Sequence, residues 1–171
     1  MISSSESAVT VLGIDPGSNV TGWGVVRESS GRLELLANGV LRVKGSSFPD
    51  RLAFIYHGLH DIIEEYRPEE AGVEQVFAAK NVMSTIKLAQ ARGAAIAACA
   101  SFRLAVQDYE PTLVKKTLVG TGRADKEQVA FMVARLLGRA HIDGPLDTTD
   151  ALAIAVCHLT LRRFRRLESL A

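Results

Sequence analysis

Runs of apolar residues near the start of the chain predict three strands in an antiparallel meander. Val9–Asp15 is an almost continuous apolar run that Pro16 and Gly17 close, which is typical of a buried strand. Residues 22–27 and 32–43 are the second and third predicted strands, and a Ser-Ser-Gly turn separates them. The short connections favour antiparallel pairing of these strands.

Helical periodicity and short apolar strands alternate along the rest of the chain. Apolar residues at helical spacing follow Pro49 as far as Tyr66, and Pro68 ends that helix. Residues 71–76 and 104–108 are the fourth and fifth predicted strands. The other predicted helices cover residues 83–102, 111–119, 126–137 and 148–164. The order βββαβαβααα predicts an α/β fold in which helices cover a mixed sheet.

Composition limits the class of protein. The 171 residues predict one domain, with residues 1–7 disordered and residues 165–171 a frayed tail. The chain is 47% hydrophobic and 23% charged, which excludes a wholly disordered, collagen-like or coiled-coil protein. Twenty Lys and Arg against 19 Asp and Glu give a formal charge of +1. That balance argues against nucleic-acid binding by bulk charge but leaves a local basic face open.

The remaining compositional signals predict a soluble cytoplasmic protein. Cys99 and Cys157 lie in apolar sequence without CxxC spacing, so we expect buried reduced thiols. The first residues, MISSSES, lack the basic and apolar regions of a signal peptide. Uncharged stretches fall far short of the roughly 20 residues of a membrane helix, so no membrane association is expected.

Four acidic residues lie at strand ends or at a helix start, where they are candidates for catalysis or metal binding. Asp15 ends the first apolar strand, and Glu74 interrupts the fourth. Asp147 and Asp150 are spaced by three at the start of the last helix, on one helical face. Each also has a purely structural explanation: Asp15 as a turn residue, Glu74 as a solvent-facing strand residue, Asp147 as an N-cap and Asp150 as a partner of the helix dipole.

Convergence of these four acids would create a strong requirement for positive charge. At 4 Å and an effective dielectric constant near 20, each pair of carboxylates repels by about 4 kcal/mol. Cations or raised pKa values relieve such repulsion, and oxygen donors select Mg²⁺ or Mn²⁺. A site of this kind suits two-metal hydrolysis of a phosphodiester.

Four motifs resemble, in the same order, those of the RuvC family of Holliday junction resolvases. They are LGIDPGSNVTGWGVV (residues 12–26), VEQVFAAKNVMSTIKLAQARGAA (73–95), VKKTLVGTGRADKEQV (114–129) and DTTDALAIA (147–155). The resemblance covers nearly the whole chain, from Val9 to His158. It implies an RNase H-like (retroviral integrase-like) fold with a five-stranded mixed sheet flanked by helices.

The resemblance also implies an activity and a set of site residues. The family's catalytic and metal-binding carboxylates fall on Asp15, Glu74, Asp147 and Asp150, which would hold two Mg²⁺ or Mn²⁺ ions per subunit. Such enzymes cut a four-way DNA junction by symmetric paired nicks, leaving 5′-phosphate and 3′-hydroxyl ends, in recombination and repair. Phe77 resembles an aromatic that stacks on a base. Lys115 and Lys126 match family lysines near the scissile phosphate. We expect a DNA-binding, junction-facing surface that combines these two with further basic residues, namely Lys80, Lys87, Arg92, Lys116 and Arg123.

A homodimer is the partner arrangement that the resemblance implies, together with the RuvA–RuvB branch-migration complex. Small residues in the helix at 84–102 would permit close approach of a second copy, or would pack on the protein's own sheet. They are Ala89, Ala91, Gly93, Ala94, Ala97 and Ala98. A twofold dimer would present two identical sites to two opposed strands.

Three other functions compete with junction cleavage. The G-I-D-x-G segment also resembles the phosphate loop of actin-like ATPases and sugar kinases, but 171 residues are too few for two lobes, so no nucleotide cofactor is expected. An RNase H-fold nuclease acting on RNA or an RNA–DNA hybrid and a non-catalytic junction-binding module are the other two. The sequence leaves open the cleavage sequence, the preferred ion, the roles of His141 and residues 162–166, and the surface that would contact RuvA–RuvB.

Overall fold

The computed structural model describes residues 8–76 and 81–168, and in this part of the chain it contains five strands and five helices. The strands are β1 (Val9–Asp15), β2 (Val20–Ser29), β3 (Arg32–Arg42), β4 (Glu70–Glu74) and β5 (Ala105–Tyr109). The helices are α1 (Phe48–Tyr66), α2 (Val82–Ser101), α3 (Pro111–Val119), α4 (Lys126–Leu136) and α5 (Leu146–Glu168). The predicted order βββαβαβααα and the α/β class are confirmed.

The five strands form one mixed sheet in the order β3-β2-β1-β4-β5. β1 pairs antiparallel with β2, and β2 with β3, whereas β1 to β4 and β4 to β5 are parallel. Ile14 lies opposite Val73 in the parallel pair, so the carboxyl ends of β1 and β4 are side by side. This register places Asp15 and Glu74 at the same edge of the sheet.

Two hydrophobic layers cover the two faces of the sheet. Leu12 and Ile14 face a cluster with α1 and α2, while Val9 and Val11 face a cluster with α3, α4 and α5. Because side chains alternate along a strand, Asp15 shares the second face with Val9 and Val11. The carboxylate at the end of β1 therefore points toward the layer that contains α5.

Two glycines allow the backbone of α5 to lie directly on the sheet. A Cβ at Gly13 would come within 2.1 Å of the Ala151 carbonyl oxygen, and one at Gly22 within 2.0 Å of the Asp147 carbonyl oxygen. Gly22 is also the register partner of Asp15 across β1 and β2. The first turn of α5 thus packs beside the carboxyl end of β1.

Several predicted element ends are wrong by a few residues. β2 runs from Val20 to Ser29 rather than over 22–27, and β4 ends at Glu74 rather than at residue 76. α5 begins at Leu146, so Asp147 lies inside the first turn instead of capping it. α5 also continues to Glu168, four residues past its predicted end. Residues 1–7, expected to be disordered, lie outside the described residues.

The structure also bears on the cysteines and on membrane insertion. Both cysteines are free and fully buried, as predicted. In the described residues, no helix combines the length and apolar character that a membrane span requires.

Candidate active site

The four predicted acids line one cavity of about 270 Å³ at the carboxyl edge of the central strands. Asp15 ends β1 and Glu74 ends β4, while Asp147 and Asp150 lie in the first turn and a half of α5. Each of the four side chains is partly buried. The structure therefore brings together the acids that the sequence analysis singled out.

Packing of α5 explains how its two acids reach the strand ends. Thr148 and Thr149 are buried, and the Thr148 amide donates a hydrogen bond to the Pro145 carbonyl oxygen 3.0 Å away. With these threonines against the protein, the acids on either side of them face the cavity. The contact of the α5 backbone with Gly22 keeps this turn close to Asp15.

Crowding of the carboxylates alters their protonation. Burial, followed by the charges of Glu74, Asp150 and Asp147, raises the pKa of Asp15 to about 8. Burial also raises the pKa of Glu74, whose side chain hydrogen-bonds with that of Asp15. A hydrogen bond between two carboxyl groups requires a proton on one of them. The pair thus relieves part of the repulsion in the cavity by holding a proton.

Lys126 supplies a positive charge to the same cavity. Its Nζ lies 2.9 Å from Oδ2 of Asp150, and this hydrogen bond with the accompanying charge attraction raises the pKa of the lysine. Lys115 also lines the cavity. Two cationic side chains therefore border the acids, as a site for a phosphate group requires.

The donor set has the chemistry of a site for hard divalent cations. All four acids offer carboxylate oxygens, which Mg²⁺ and Mn²⁺ prefer, and their mutual repulsion would be relieved by bound positive charge. In the conformation described, which omits residues 77–80, no three acidic, histidine or cysteine side chains are grouped closely enough to hold an ion. In this conformation Glu74 hydrogen-bonds with Asp15, and Asp150 pairs with Lys126.

The other predicted DNA-binding residues have different environments. Lys87 is exposed on α2, Lys116 is exposed in α3, and Arg123 is exposed in the loop that leads to α4. Phe77 and Lys80 lie outside the described residues. Binding of DNA by any of these residues stays a prediction.

Arg92 has partners inside the protein. Its Nε donates to the backbone carbonyl oxygen of Glu74 at 3.1 Å, and a terminal nitrogen pairs with the carboxylate of Asp108. The side chain is only 20% exposed. Its predicted contact with DNA remains untested, and its observed contacts are with the ends of β4 and β5.

Sequence reasoning missed the apolar wall of the cavity. This wall consists of Pro111, Val114, Val129, Ala153 and Ile154. The small residues in the sequence ALAIA directly after Asp150 were a usable signal, since small side chains permit close packing of α5 on the sheet.

Two features that the sequence left open lie outside the wall of this cavity. His141 Nε2 lies 2.8 Å from Oδ1 of Asp143, and both side chains are largely exposed. Arg162 Nε lies 2.7 Å from Oε1 of Glu70, near the opposite end of β4. Neither residue contributes to the acidic cluster.

Comparison with known proteins identifies the relatives of this chain. Residues 11–158 match the family model described as Crossover junction endodeoxyribonuclease RuvC. The protein of that name from Oleidesulfovibrio alaskensis is 62% identical over 96% of this chain and 99% of the relative, and that from Methylococcus capsulatus is 51% identical over 92% and 96%. Thermus thermophilus RuvC in complex with a Holliday junction substrate superimposes with a TM-score of 0.85 at 33% identity, over 91% and 96% of the two chains. This likeness confirms the predicted RNase H-like fold class.

Proposed function

The chain belongs to the RuvC family of crossover junction endodeoxyribonucleases, and we propose that it resolves Holliday junctions through the cavity that Asp15, Glu74, Asp147 and Asp150 line. The observation that carries this proposal is the meeting of all four acids with Lys115 and Lys126 around one cavity. The reaction is hydrolysis of a phosphodiester bond in each of two opposed strands, leaving 5′-phosphate and 3′-hydroxyl ends.

In this reaction the acids would bind the metal ions and the lysines would contact the phosphate. The four carboxylates would hold two divalent ions, Mg²⁺ or Mn²⁺, which when bound supply an activated water and stabilise the leaving oxygen. Lys115 and Lys126 border the acids, so their ammonium groups can hold the scissile phosphate and neutralise charge that develops on it. The apolar wall beside α3 and α5 leaves the acids and lysines as the polar groups that orient the phosphate.

A comparison of substrates and ions tests the proposal. We expect the purified protein to place paired symmetric nicks in a synthetic four-way junction with Mg²⁺ or Mn²⁺, and to leave a linear duplex and an RNA–DNA hybrid intact. EDTA should stop the reaction. Cutting without a divalent ion, or a preference for the hybrid, would contradict the proposal and favour a different RNase H-fold nuclease.

Replacement of single acids tests the site. Asp150→Asn should abolish cleavage and leave junction binding largely intact, because the amide keeps the shape but loses the anionic oxygen. Asp143→Asn is a matched control, since Asp143 pairs with His141 outside the cavity. Retained cleavage in Asp150→Asn would remove this acid from the site, as would equal losses in both variants.

We propose that the exposed face of α2 joins two copies of the chain. Ala89, Gly93 and Ala97 are exposed at helical spacing, and a Cβ at Gly93 would meet no atom within 4 Å. Val82, Met83 and Ile86 are also exposed, by 70%, 60% and 43%. A stripe of small and apolar residues on one helix favours close contact with a second helix.

The opposite face of α2 packs on the protein itself. Ala91, Ala95 and Ala98 are fully buried there, so two of the small residues considered for dimer contact serve the protein's own core. Ala97→Arg should therefore yield monomers in sedimentation equilibrium and single rather than paired nicks, while Glu64→Arg on the exposed side of α1 should leave the dimer intact. A dimeric Ala97→Arg variant would place the contact elsewhere.

Family membership also leads us to propose that the chain acts in the cytoplasm with the RuvA–RuvB complex. A junction preloaded with RuvA and RuvB should be cleaved faster than the bare junction at the same concentration of this protein. Inhibition, or no effect, would contradict the partnership without affecting the site.

A further inference from the structure

We propose that Arg92 is a positioning residue for catalysis, which holds Glu74 in place from α2, and that it is not a contact for DNA. This inference rests on the proposed function, because it takes Glu74 as one of the catalytic acids. In this role Arg92 acts on the backbone of Glu74. Neither the family resemblance nor the motif around Arg92 assigns the arginine such a role.

The guanidinium of Arg92 connects three elements. It lies on α2, its Nε donates to the Glu74 carbonyl oxygen at the end of β4, and its terminal nitrogen pairs with Asp108 on β5. Asp108 is the register partner of Val73, one residue before Glu74. The planar guanidinium therefore links the carboxyl ends of two parallel strands to the helix that covers them.

The position of Glu74 explains why such a tie is needed. Glu74 is the last residue of β4, and one further backbone hydrogen bond, from the Gln75 amide to the Tyr109 carbonyl oxygen at 2.9 Å, follows it. Its side chain lines the same cavity as Asp147 and Asp150, whose negative charges favour moving apart. Catalytic groups must stay within about 0.5 Å of their working positions, so the backbone of this residue requires restraint beyond the strand end.

The charge around Arg92 argues against a role in binding phosphate. Asp108 neutralises the guanidinium, and the arginine side chain is 20% exposed. Lys87, on the same helix, is exposed. If either residue binds the DNA backbone, the lysine has the available charge, and the two can be separated by experiment.

The central experiment measures cleavage and binding separately in Arg92→Gln. We expect the single-turnover rate at saturating protein to fall at least tenfold, while the Kd for the junction, measured in EDTA, stays within twofold of the wild type. Arg92→Lys should show a similar loss of rate, because an ammonium group cannot bridge Glu74 and Asp108 as the planar guanidinium does. Rates are corrected for the folded fraction measured by circular dichroism.

Two variants near Arg92 serve as controls. Lys87→Gln should weaken binding and make the negative slope of log K against log salt shallower by about 0.9. Arg103→Gln, at an exposed arginine just beyond α2, should change neither quantity. These controls define the signature of a DNA contact and of a bystander arginine.

Asp108→Asn extends the test to the partner of Arg92. Loss of this carboxylate should lower the saturating rate, although removal of a negative charge should not weaken DNA binding. The double variant Arg92→Gln/Asp108→Asn should be no slower than Arg92→Gln alone, because both changes break one bridge. If Arg92→Gln does not fold, Arg92→Lys and Asp108→Asn decide the question.

The outcomes distinguish this inference from the proposed function. A wild-type saturating rate in Arg92→Gln, or a weakened Kd with a shallower salt slope and no loss of rate, would overturn the positioning role. Retained cleavage in Glu74→Gln would instead overturn the catalytic role of that acid. Loss of cleavage in Glu74→Gln with unimpaired Arg92→Gln would refute the inference alone.

Discussion

Gly22→Ala is predicted to disable cleavage without adding or removing any charged group. Gly22 faces the first turn of α5, and a Cβ there would lie 2.0 Å from the carbonyl oxygen of Asp147. A carbon–oxygen contact normally needs about 3.3 Å, so the start of α5 must retreat by roughly 1.3 Å. The obstacle is backbone, which no side-chain rotation relieves.

The displacement falls on the site because Gly22 is the register partner of Asp15. Overpacking of this kind typically destabilises a protein by about 1–3 kcal/mol, and a domain of this size loses roughly 2–4 °C in Tm per kcal/mol. A shift of about 1 Å between catalytic groups costs on the order of 100-fold in rate. We therefore expect a folded protein that cleaves the junction about 100-fold more slowly.

Gly24→Ala is the matched control for this prediction. Gly24 lies two residues further along β2 on the same face, and its Cβ would lie 2.4 Å from Cδ2 and 2.7 Å from Cγ of Leu152. Leu152 is fully buried, so this variant should lose stability; because the obstacle is a side chain and not the backbone that carries Asp147, its rate should stay near that of the wild type. Junction cleavage and thermal unfolding are measured for both variants. Cleavage by Gly22→Ala within threefold of Gly24→Ala, at equal folded fraction, would refute the reasoning.

Three further predictions concern charge. Lys126→Ala removes the cation paired with Asp150, so the metal-free acids repel more strongly and Mg²⁺ should raise its Tm by more than that of the wild type; equal rises would contradict this. His158 lies between Tyr109 and Glu70 with Arg162 and Arg165 nearby, and burial lowers its pKa. Below the usual histidine pKa of about 6.5, this histidine therefore takes up a proton in the unfolded chain but not in the folded chain. The free energy of unfolding should fall as pH drops below about 6.5, and His158→Gln should flatten this dependence; parallel curves from urea titrations would argue against it. Arg123→Ala should make the negative slope of log K against log salt shallower by about 0.9 with an unchanged saturating rate. An unchanged slope would remove this residue from the DNA-binding set.

Local sequence signals were sufficient for some elements. β1 and α3 have the predicted bounds because the signals that end them are local: Pro16 and Gly17 follow the strand, and Gly120, with φ of 85°, ends the helix. The start of β2 at Val20 depends instead on pairing with Arg42 of β3. Such pairing is not visible in the periodicity of β2 itself.

The contacts that complete the site depend on distances that one sequence does not determine. The four acids could be selected because their motifs resemble those of a known family. Lys126 and Asp150 are 24 residues apart, and Arg92 and Glu74 are 18 apart, so their contacts depend on how α4 and α2 lie on the sheet. The sequence accordingly predicted Arg92 as a DNA-binding residue and contained no sign of its bond to Glu74.

The parallel pairing of β1 with β4 has a consequence for when the active site forms during folding. Its acids come from distant parts of the chain, and Asp147 and Asp150 are synthesised after every strand of the sheet. Parallel strands and long sequence separations make folding slow, because loop closure precedes the contacts that reward it. A nascent chain that has formed only its first hairpin carries Asp15 alone. If these acids carry the reaction as proposed, nuclease activity would begin only once α5 has docked beside β1, and partly folded molecules would not cut DNA.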